Sequence, residues 1–286
     1  MDRKNLDKFI NEVLAIEAEE AKEAGALGYM ARALVQATMP HKATTANEFT
    51  RTNGAFTLSI LAPAKIGLPY GSIPRLLLAW VTTEAVKTKE RTLCLGNTLS
   101  AFMRELGLTP TGGRWGSISY LKQQSKRLFT SSISCSYTTS VQEGEKGFRI
   151  ADSHELWWTP KSPDQALLFN SHVILSEMFF NEITTHPVPI DLRALKALKR
   201  SPLAIDIYCW LTFRMSYIKK NSVIPWEVLK LQFGSDYANT EQGRRDFKRA
   251  FLRELRKVTT IQEQAKVEVN KRSLILLPGK PHIPLL

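Results

Sequence analysis

Cysteine is scarce and unpatterned. Cys94, Cys135 and Cys209 are odd in number and far apart, with no CxxC spacing. That excludes a disulfide framework or a thiolate zinc site and suits a reducing cytosol. Each lies in an apolar stretch, so all three are expected as small buried hydrophobes. The five histidines, His41, His154, His172, His186 and His282, show no HxxxH or HxH spacing, so no metal site is expected. A DNA-nicking enzyme of the rolling-circle kind needs a metal-binding histidine pair beside a nucleophilic tyrosine. The candidate tyrosines Tyr208, Tyr217 and Tyr237 have no such pair, and Tyr208 and Tyr217 read as core or core-edge residues. There is no GxxxxGK[ST] loop and no GxSxG elbow, which removes the usual ATPase and hydrolase signatures. No catalytic residue, cofactor or metal is therefore expected. The longest greasy run, Leu76 to Val81, is far too short to span a bilayer. The opening MDRKNLDKF has acids and no long apolar run after it, so no signal peptide is read and a cytoplasmic protein is expected.

What is present is apolar material and positive charge. The chain has 286 residues, 43% hydrophobic, with a net charge of +12. That is enough for two packed domains and favours a polyanionic partner. The charge concentrates in TEQGRRDFKRAFLRELRKV, residues 240 to 258. At 100° per residue Phe247, Phe251, Leu255 and Val258 fall on one side, and Arg245, Arg249, Arg253 and Arg256 on the other. Thr240 is placed to cap the helix, accepting from an otherwise unpaired N–H of the first turn. Guanidinium forks on one face suit phosphate oxygens and the guanine edge.

Along the chain, residues 2 to 37 read as helical, with Leu6, Phe9, Ile10, Val13 and Leu14 and then Leu27, Met30 and Leu34 at helical spacing. Gly25 divides them, and Glu17, Glu19, Glu20 and Glu23 make this arm unsuited to nucleic acid. A polar linker with Pro40 follows, then a strand at Ala55–Leu61. Next come a helix at Ile73–Val86, a strand at Arg91–Leu95, helices at Asn97–Leu106 and Trp115–Phe129 separated by a Gly112–Gly113 turn, and strands at Ser132–Val141 and Phe148–Trp158. Glu143 to Glu145 is read as the turn between those strands. Pro160 to Pro163 reads as a linker. The order then repeats: helix Pro202–Tyr217, a short strand at Ser222–Ile224, helices Trp226–Phe233 and Thr240–Val258, and strands Ala265–Val269 and Ser273–Leu277. Helix, strand, helix, helix and β-hairpin is the order of a winged helix. The expectation is an α+β protein of two tandem winged-helix domains: an N-terminal helical arm and linker over 1–45, a first winged helix over 46–160, and a second over 161–280.

In such a module the second helix of the pair enters the major groove, N-terminal end first. In the second module this selects Gln242, Arg244, Arg245, Lys248, Arg249 and Arg253, with Gln and Arg able to read base edges and Arg244 and Lys248 placed for phosphate. In the first it selects Arg114, Ser117, Lys122, Lys126 and Arg127, along a helix with no acid between Gly112 and Thr130. Lys271 and Arg272 in the second wing turn reach for the adjacent backbone.

Two long stretches resemble a known family. LPYGSIPRLLLAWVTTEAVKT with LGNTLSAFMRELGL, inside residues 68 to 108, and VPIDLRALKALKRSPLAIDIYCWLTFRMSY, residues 188 to 217, are similar to plasmid-encoded replication initiators of the RepA type. The resemblance runs from about Phe56 to Leu277. It implies a protein that binds directly repeated double-stranded DNA sites (iterons) in a plasmid origin, promotes opening of the adjacent duplex and recruits host replication proteins. It further implies a homodimer formed through the first winged helix, which represses its own gene and so takes part in copy control. Pro69, Gly71 and Pro74 are expected to shape a turn into a helix, and Arg75 to hold a carboxylate of the fold. A winged-helix transcriptional repressor without a replication role is the alternative. Two modules in tandem imply a site of about two turns bound by one chain.

Overall fold

The computed structural model describes residues 3–138, 143–156, 162–164, 171–234 and 236–284. In chain order, α1 (Arg3–Glu17), β1 (Leu27–Met30) and α2 (Arg32–Gln36) lead to the strands β2 (Glu48–Asn53) and β3 (Phe56–Leu61). Then come α3 (Ser72–Thr88), β4 (Thr92–Cys94), α4 (Leu99–Glu105), α5 (Ser117–Thr130), β5 (Ser132–Thr138), β6 (Glu143–Arg149), β7 (Ala151–Glu155), β8 (His172–Leu175) and α6 (Glu177–Thr185). The chain finishes with β9 (Val188–Asp191), α7 (Leu192–Leu198), α8 (Pro202–Met215), β10 (Ser222–Pro225), α9 (Trp226–Phe233), α10 (Glu241–Ile261), β11 (Val267–Val269) and β12 (Ser273–Leu276). This is a mixed α and β architecture with small sheets. No helix among the described residues is long and apolar enough to cross a membrane.

Two compact units result. The terminal unit comprises Met1–Thr38, Arg51–Thr57 and Val188–Leu286; the central unit comprises Met39–Thr50 and Leu58–Pro187. These bounds divide the chain differently from the expected 1–45, 46–160 and 161–280. β1 pairs antiparallel with β9, Gly28 opposite Ile190, and α1 packs on α7 and α10. The N-terminal arm is thereby part of the terminal unit. Gly28 makes room there for Leu192, whose side chain would have to move for a Cβ standing 2.5 Å away. Leu27 to Met30 is thus a strand and not the expected helix: a short apolar run takes its state from its partner, not from its own spacing. In α1, Phe9, Val13 and Ile16 are buried while Leu6, Ile10 and Leu14 are exposed, so of the expected stripe Phe9 and Val13 alone turn inward, joined by Ile16.

In the central unit the expected strands form, but with other partners. β5 pairs with β6 in a four-stranded sheet of order β2-β3-β5-β6. The segment expected as one strand from Phe148 to Trp158 breaks at Ile150, and its second half, β7, pairs with β8; Trp157 and Trp158 lie outside the described residues. The result is a three-stranded sheet of order β4-β8-β7. Glu143 to Glu145, expected as a turn, belongs to β6. The terminal unit has the sheet β10-β12-β11. Each unit therefore carries a helix, a strand, two helices and two further strands, with the first strand pairing the third and the third pairing the second. In the central unit β5 and β6 are additional to this pattern.

Side chains cap several of the helices, the expected Thr240 among them. Thr240 accepts from the Gly243 N–H at 3.1 Å, Ser201 from Ala204 at 3.2 Å, and Asp191 from Arg193 at 2.7 Å. Pro202 occupies the first turn of α8, where its missing N–H costs nothing. Arg75 is buried and donates to the carbonyls of Met39, Pro40 and Gly71 at 2.7–3.2 Å. Gly71 has φ +79°, and a Cβ on it would meet the Tyr120 hydroxyl at 2.9 Å. Of the cysteines, Cys209 is buried and Cys135 half-buried, its thiol pushed up to about 12 chiefly by burial. Cys94 is exposed on β4, contrary to expectation: on a three-residue strand only the middle residue, Leu93, turns inward.

Gly234, which ends α9, packs against α10: an added Cβ would lie 2.2 Å from Cδ2 of the buried Phe247 ring. Gly234→Ala should therefore destabilise the protein by about 1–3 kcal/mol, as overpacking does, read as a lower denaturant midpoint with unchanged slope.

Candidate nucleic-acid interface

Helix α10 is set by what lies beneath it. Phe247, Phe251, Leu255 and Val258 are buried. Phe251 packs edge-on to Trp226, Phe233 and Trp210 with ring centroids 5.9, 5.4 and 6.5 Å away, and tilted on Phe247 at 5.7 Å. Such pairs contribute about 0.5–1.5 kcal/mol each beyond the area they bury. They fix the rotation of α10, and the opposite face meets solvent.

On that face Gln242, Arg244, Arg245, Arg249, Arg253 and Arg256 are exposed. They are not bare charges. Arg245 pairs with Glu241, Arg249 donates to Asp246 at 2.7 Å, and Gln242 donates to the same Asp246 carboxylate at 2.9 Å. The Arg245 and Arg249 side chains are still 65% and 75% exposed. Exposed pairs of this kind are worth about 0–1 kcal/mol, whereas a bidentate Arg–guanine contact discriminates by about 1–3 kcal/mol. A base edge can therefore displace the carboxylates. For Arg244 and Arg256 no ion pair occurs among the described residues. Arg253 donates to Glu254 at 2.7 Å, a carboxylate only 2% exposed that also takes Lys257 at 2.7 Å.

Lys248 does something else. Its ammonium donates to the Asn270 and Lys271 carbonyls at 3.0 and 3.1 Å and sits 4.6 Å from the Trp226 ring centroid. The Trp226 indole N–H donates to the same Asn270 carbonyl at 3.2 Å. Asn270 Oδ1 accepts from the Arg272 and Ser273 N–H groups. The turn between β11 and β12 is thus latched to α9 and α10, with the Lys271 and Arg272 side chains left exposed beside the helix. Sequence reading placed Lys248 on phosphate. The latch was hidden because Asn270 and Trp226 are far from Lys248 in sequence.

In the central unit α5 starts at Ser117, not Trp115. Lys122 and Lys126 are exposed, as is Arg114, whose guanidinium carbon lies 5.1 Å from the Trp115 ring centroid. Ser117 and Arg127 are committed to the fold. Ser117 Oγ donates to the Thr109 carbonyl at 2.7 Å and accepts from the Thr111 N–H at 2.9 Å. Arg127 donates to the Leu68 carbonyl at 2.9 Å and lies 5.2 Å from the Tyr70 ring centroid. Gln124 accepts from the Tyr70 N–H at 3.0 Å. The buried side of α5 is therefore strapped to the LPYG segment, residues 68–71, and Tyr120, with its hydroxyl pushed up to about 12 chiefly by burial, packs 5.9 Å from Tyr70.

The three tyrosines singled out in the sequence have different surroundings. Tyr208 is fully buried, its hydroxyl accepting from the Asp191 N–H at 2.9 Å and lying 2.9 Å from His282 Nδ1. Burial raises its pKa further from neutrality and lowers that of His282. Tyr217 accepts from Arg214 at 2.9 Å, and Tyr237 packs on Phe247 at 5.7 Å.

Residues 68–228, more than half of the chain, match the family described as "Plasmid encoded RepA protein". The chain belongs to this family of plasmid replication initiators. The RepA match begins at Leu68, the first residue that α5 straps down, and ends inside α9. The α10 face therefore lies outside it. No individual curated protein matches the sequence significantly. Among solved structures, the RepA-family chain is similar in fold to domains 2–3 of RctB, at TM-score 0.54 and 12% identity, covering 86% of this chain and 96% of that one. A second crystal structure of RctB domains 2 and 3 matches at TM-score 0.53 and 14% identity, covering 87% and 96%.

Glu254 supplies a pH test. Burial raises its carboxyl, but hydrogen bonds from Lys257 and Arg253 outweigh that, and its pKa is held below the ordinary carboxylate value. Because the folded value is depressed, the stability it contributes is full above the ordinary carboxylate range and is lost as pH falls through the folded value. Glu254→Gln should lower Tm at neutral pH, and the difference from the parent should shrink on acidification, as followed by thermal melts across pH.

Proposed function

We propose that the chain acts as a plasmid replication initiator by binding repeated double-stranded sites (iterons) at the plasmid origin, with α10 as the reading helix of a winged-helix domain. The observation that carries the reading is the outward row Gln242, Arg245 and Arg249 in the first half of α10, held by the Phe251 cluster and flanked by the Lys271–Arg272 turn. The strand orders β10-β12-β11 and β4-β8-β7 support a winged helix in each unit. On this reading the wing of the central unit is the β7–β8 pair. The helix α5 then presents Lys122 and Lys126 to phosphate, with Arg114 from the loop before it, while Ser117 and Arg127 hold the scaffold. Arg244 and Arg253 serve as backbone anchors, and Lys248 serves to set the wing.

The reading includes action by binding rather than catalysis, with opening of the origin and recruitment of host initiator and helicase proteins following from the family. It also includes a cytoplasmic location and a homodimer, formed through the central unit, that limits copy number. Several phosphates neutralised at once would make affinity fall steeply with salt.

Arg245→Ala and Arg249→Ala should each lose about 1–3 kcal/mol of preference for the origin repeat over random duplex, with thermal stability unchanged, since both side chains are exposed. Competition band shifts at fixed moderate salt measure this. Equal loss on all sequences would make these arginines phosphate anchors, and no preference in the parent protein would refute the initiator reading. Loss of maintenance of the cognate plasmid in the same variants separates an initiator from a repressor of the same fold.

A further inference from the structure

The loop that delivers the chain into α5 carries the most exposed large apolar side chain among the described residues: Trp115, 89% exposed. A single exposed apolar side chain is ordinary by itself; the loop that carries this one is closely bonded. The Thr111 N–H donates to Ser117 Oγ and the Ser117 N–H to Thr111 Oγ1, both at 2.9 Å. Ser119 Oγ donates to the Gly113 carbonyl at 2.9 Å. Gly113 has φ +85°, and a Cβ on Gly116 would lie 2.2 Å from the carbonyl oxygens of Thr111 and Gly112. The turn folds tightly back on itself and projects Trp115 from its tip.

The surroundings indicate the ligand. Arg114 lies against the indole at 5.1 Å, Lys122 and Lys126 follow on the exposed side of α5, and no acidic residue occurs between Gly112 and Thr130. A flat aromatic surface within an acid-free cationic stretch complements a flat ring on a polyanion. In sequence the tryptophan is flanked by Gly112, Gly113, Arg114 and Gly116, none of them a large apolar side chain of the kind a protein partner would be met by. Aromatic side chains in cationic settings bind single strands because every base offers a π-face, whatever the sequence.

We propose that the Arg114–Trp115 tip is a stacking site for an unpaired nucleobase of single-stranded DNA, distinct from the duplex-reading face of α10. The proposal rests on the DNA-binding reading above and adds a ligand state to it: the indole takes a base that has already left the duplex, Arg114 covers the indole and faces the adjoining phosphate, and Lys122 and Lys126 follow the strand.

The test uses the full-length protein and three probes: fully paired repeat duplex, the same duplex with one unpaired 2-aminopurine, and a single strand carrying 2-aminopurine. The variants are Trp115→Ala and Trp115→Phe. The parent should bind the single strand with quenching of the probe fluorescence. Trp115→Ala should lose about tenfold in affinity for the single strand relative to paired duplex, and lose the quenching, within the range found for one base–aromatic stack. Trp115→Phe should keep most of both. An unchanged ratio and quenching in Trp115→Ala overturns the proposal. Quenching confined to the bulged duplex overturns it as well, since the ring would then act as a wedge in paired DNA. If the parent shows no preference for the paired repeat but still quenches the single strand through Trp115, the duplex-reading proposal fails and this one stands.

Discussion

The edge-to-face packing around Phe251 is the contact on which the interface depends. One ring joins three helices: Trp210 comes from α8, Trp226 and Phe233 from α9, and Phe247 precedes it on α10. Burying that stripe leaves α10 no choice about which residues face water. The same cluster sets the wing, because Trp226, which packs on Phe251 with its ring, donates its indole N–H to Asn270 at the turn between β11 and β12. Helix α10 and the β11–β12 turn are therefore positioned by one side-chain network, and Lys248 closes it from the polar side.

The central unit repeats the strand order but uses its cations differently. On α10 Arg245 and Arg249 pair with carboxylates of their own helix, exposed pairs that compete weakly with a ligand. On α5 Arg127 is drawn inward to the carbonyl of Leu68 and the ring of Tyr70, and the exposed positive charge is Lys122 and Lys126, with Arg114 in the loop before the helix. Lysine is a point charge on a flexible stem and lacks the planar fork that reads guanine. The exposed cations thus differ in kind: arginine forks on α10 of the terminal unit, and lysines with an Arg114–Trp115 tip at α5 of the central unit.

Much of this was legible in the sequence wherever the signal is local. The 3.6-residue period of α10, its Thr240 cap, the start of α8 at Pro202 and the helix α9 from Trp226 to Phe233 all stand as read. What was not legible depends on distant partners. Alternation marks β5 as a strand but cannot say that it pairs with β6 and β3 while β4 waits for β8, nearly eighty residues further on. Leu27 to Met30 looks helical until β9 is beside it. At the candidate interface the exposed row of α10 followed from periodicity, whereas the inward turn of Lys248, Ser117 and Arg127 did not, because each is set by a backbone carbonyl that composition does not reveal. Trp115 was read as the first residue of a helix; the positive φ of Gly113 and the close packing of Gly116 end the loop two residues later and leave the indole outside.

The central claim is that the first half of α10 lies against base edges of a repeated site. A photoactivatable crosslinker placed at position 249, in complexes of the full-length protein with origin DNA, reads this directly. The account predicts crosslinks to one or two defined base positions that recur at the same place in every repeat. Crosslinks scattered without regard to sequence, or none from position 249 while the protein remains bound to the repeats, would contradict it.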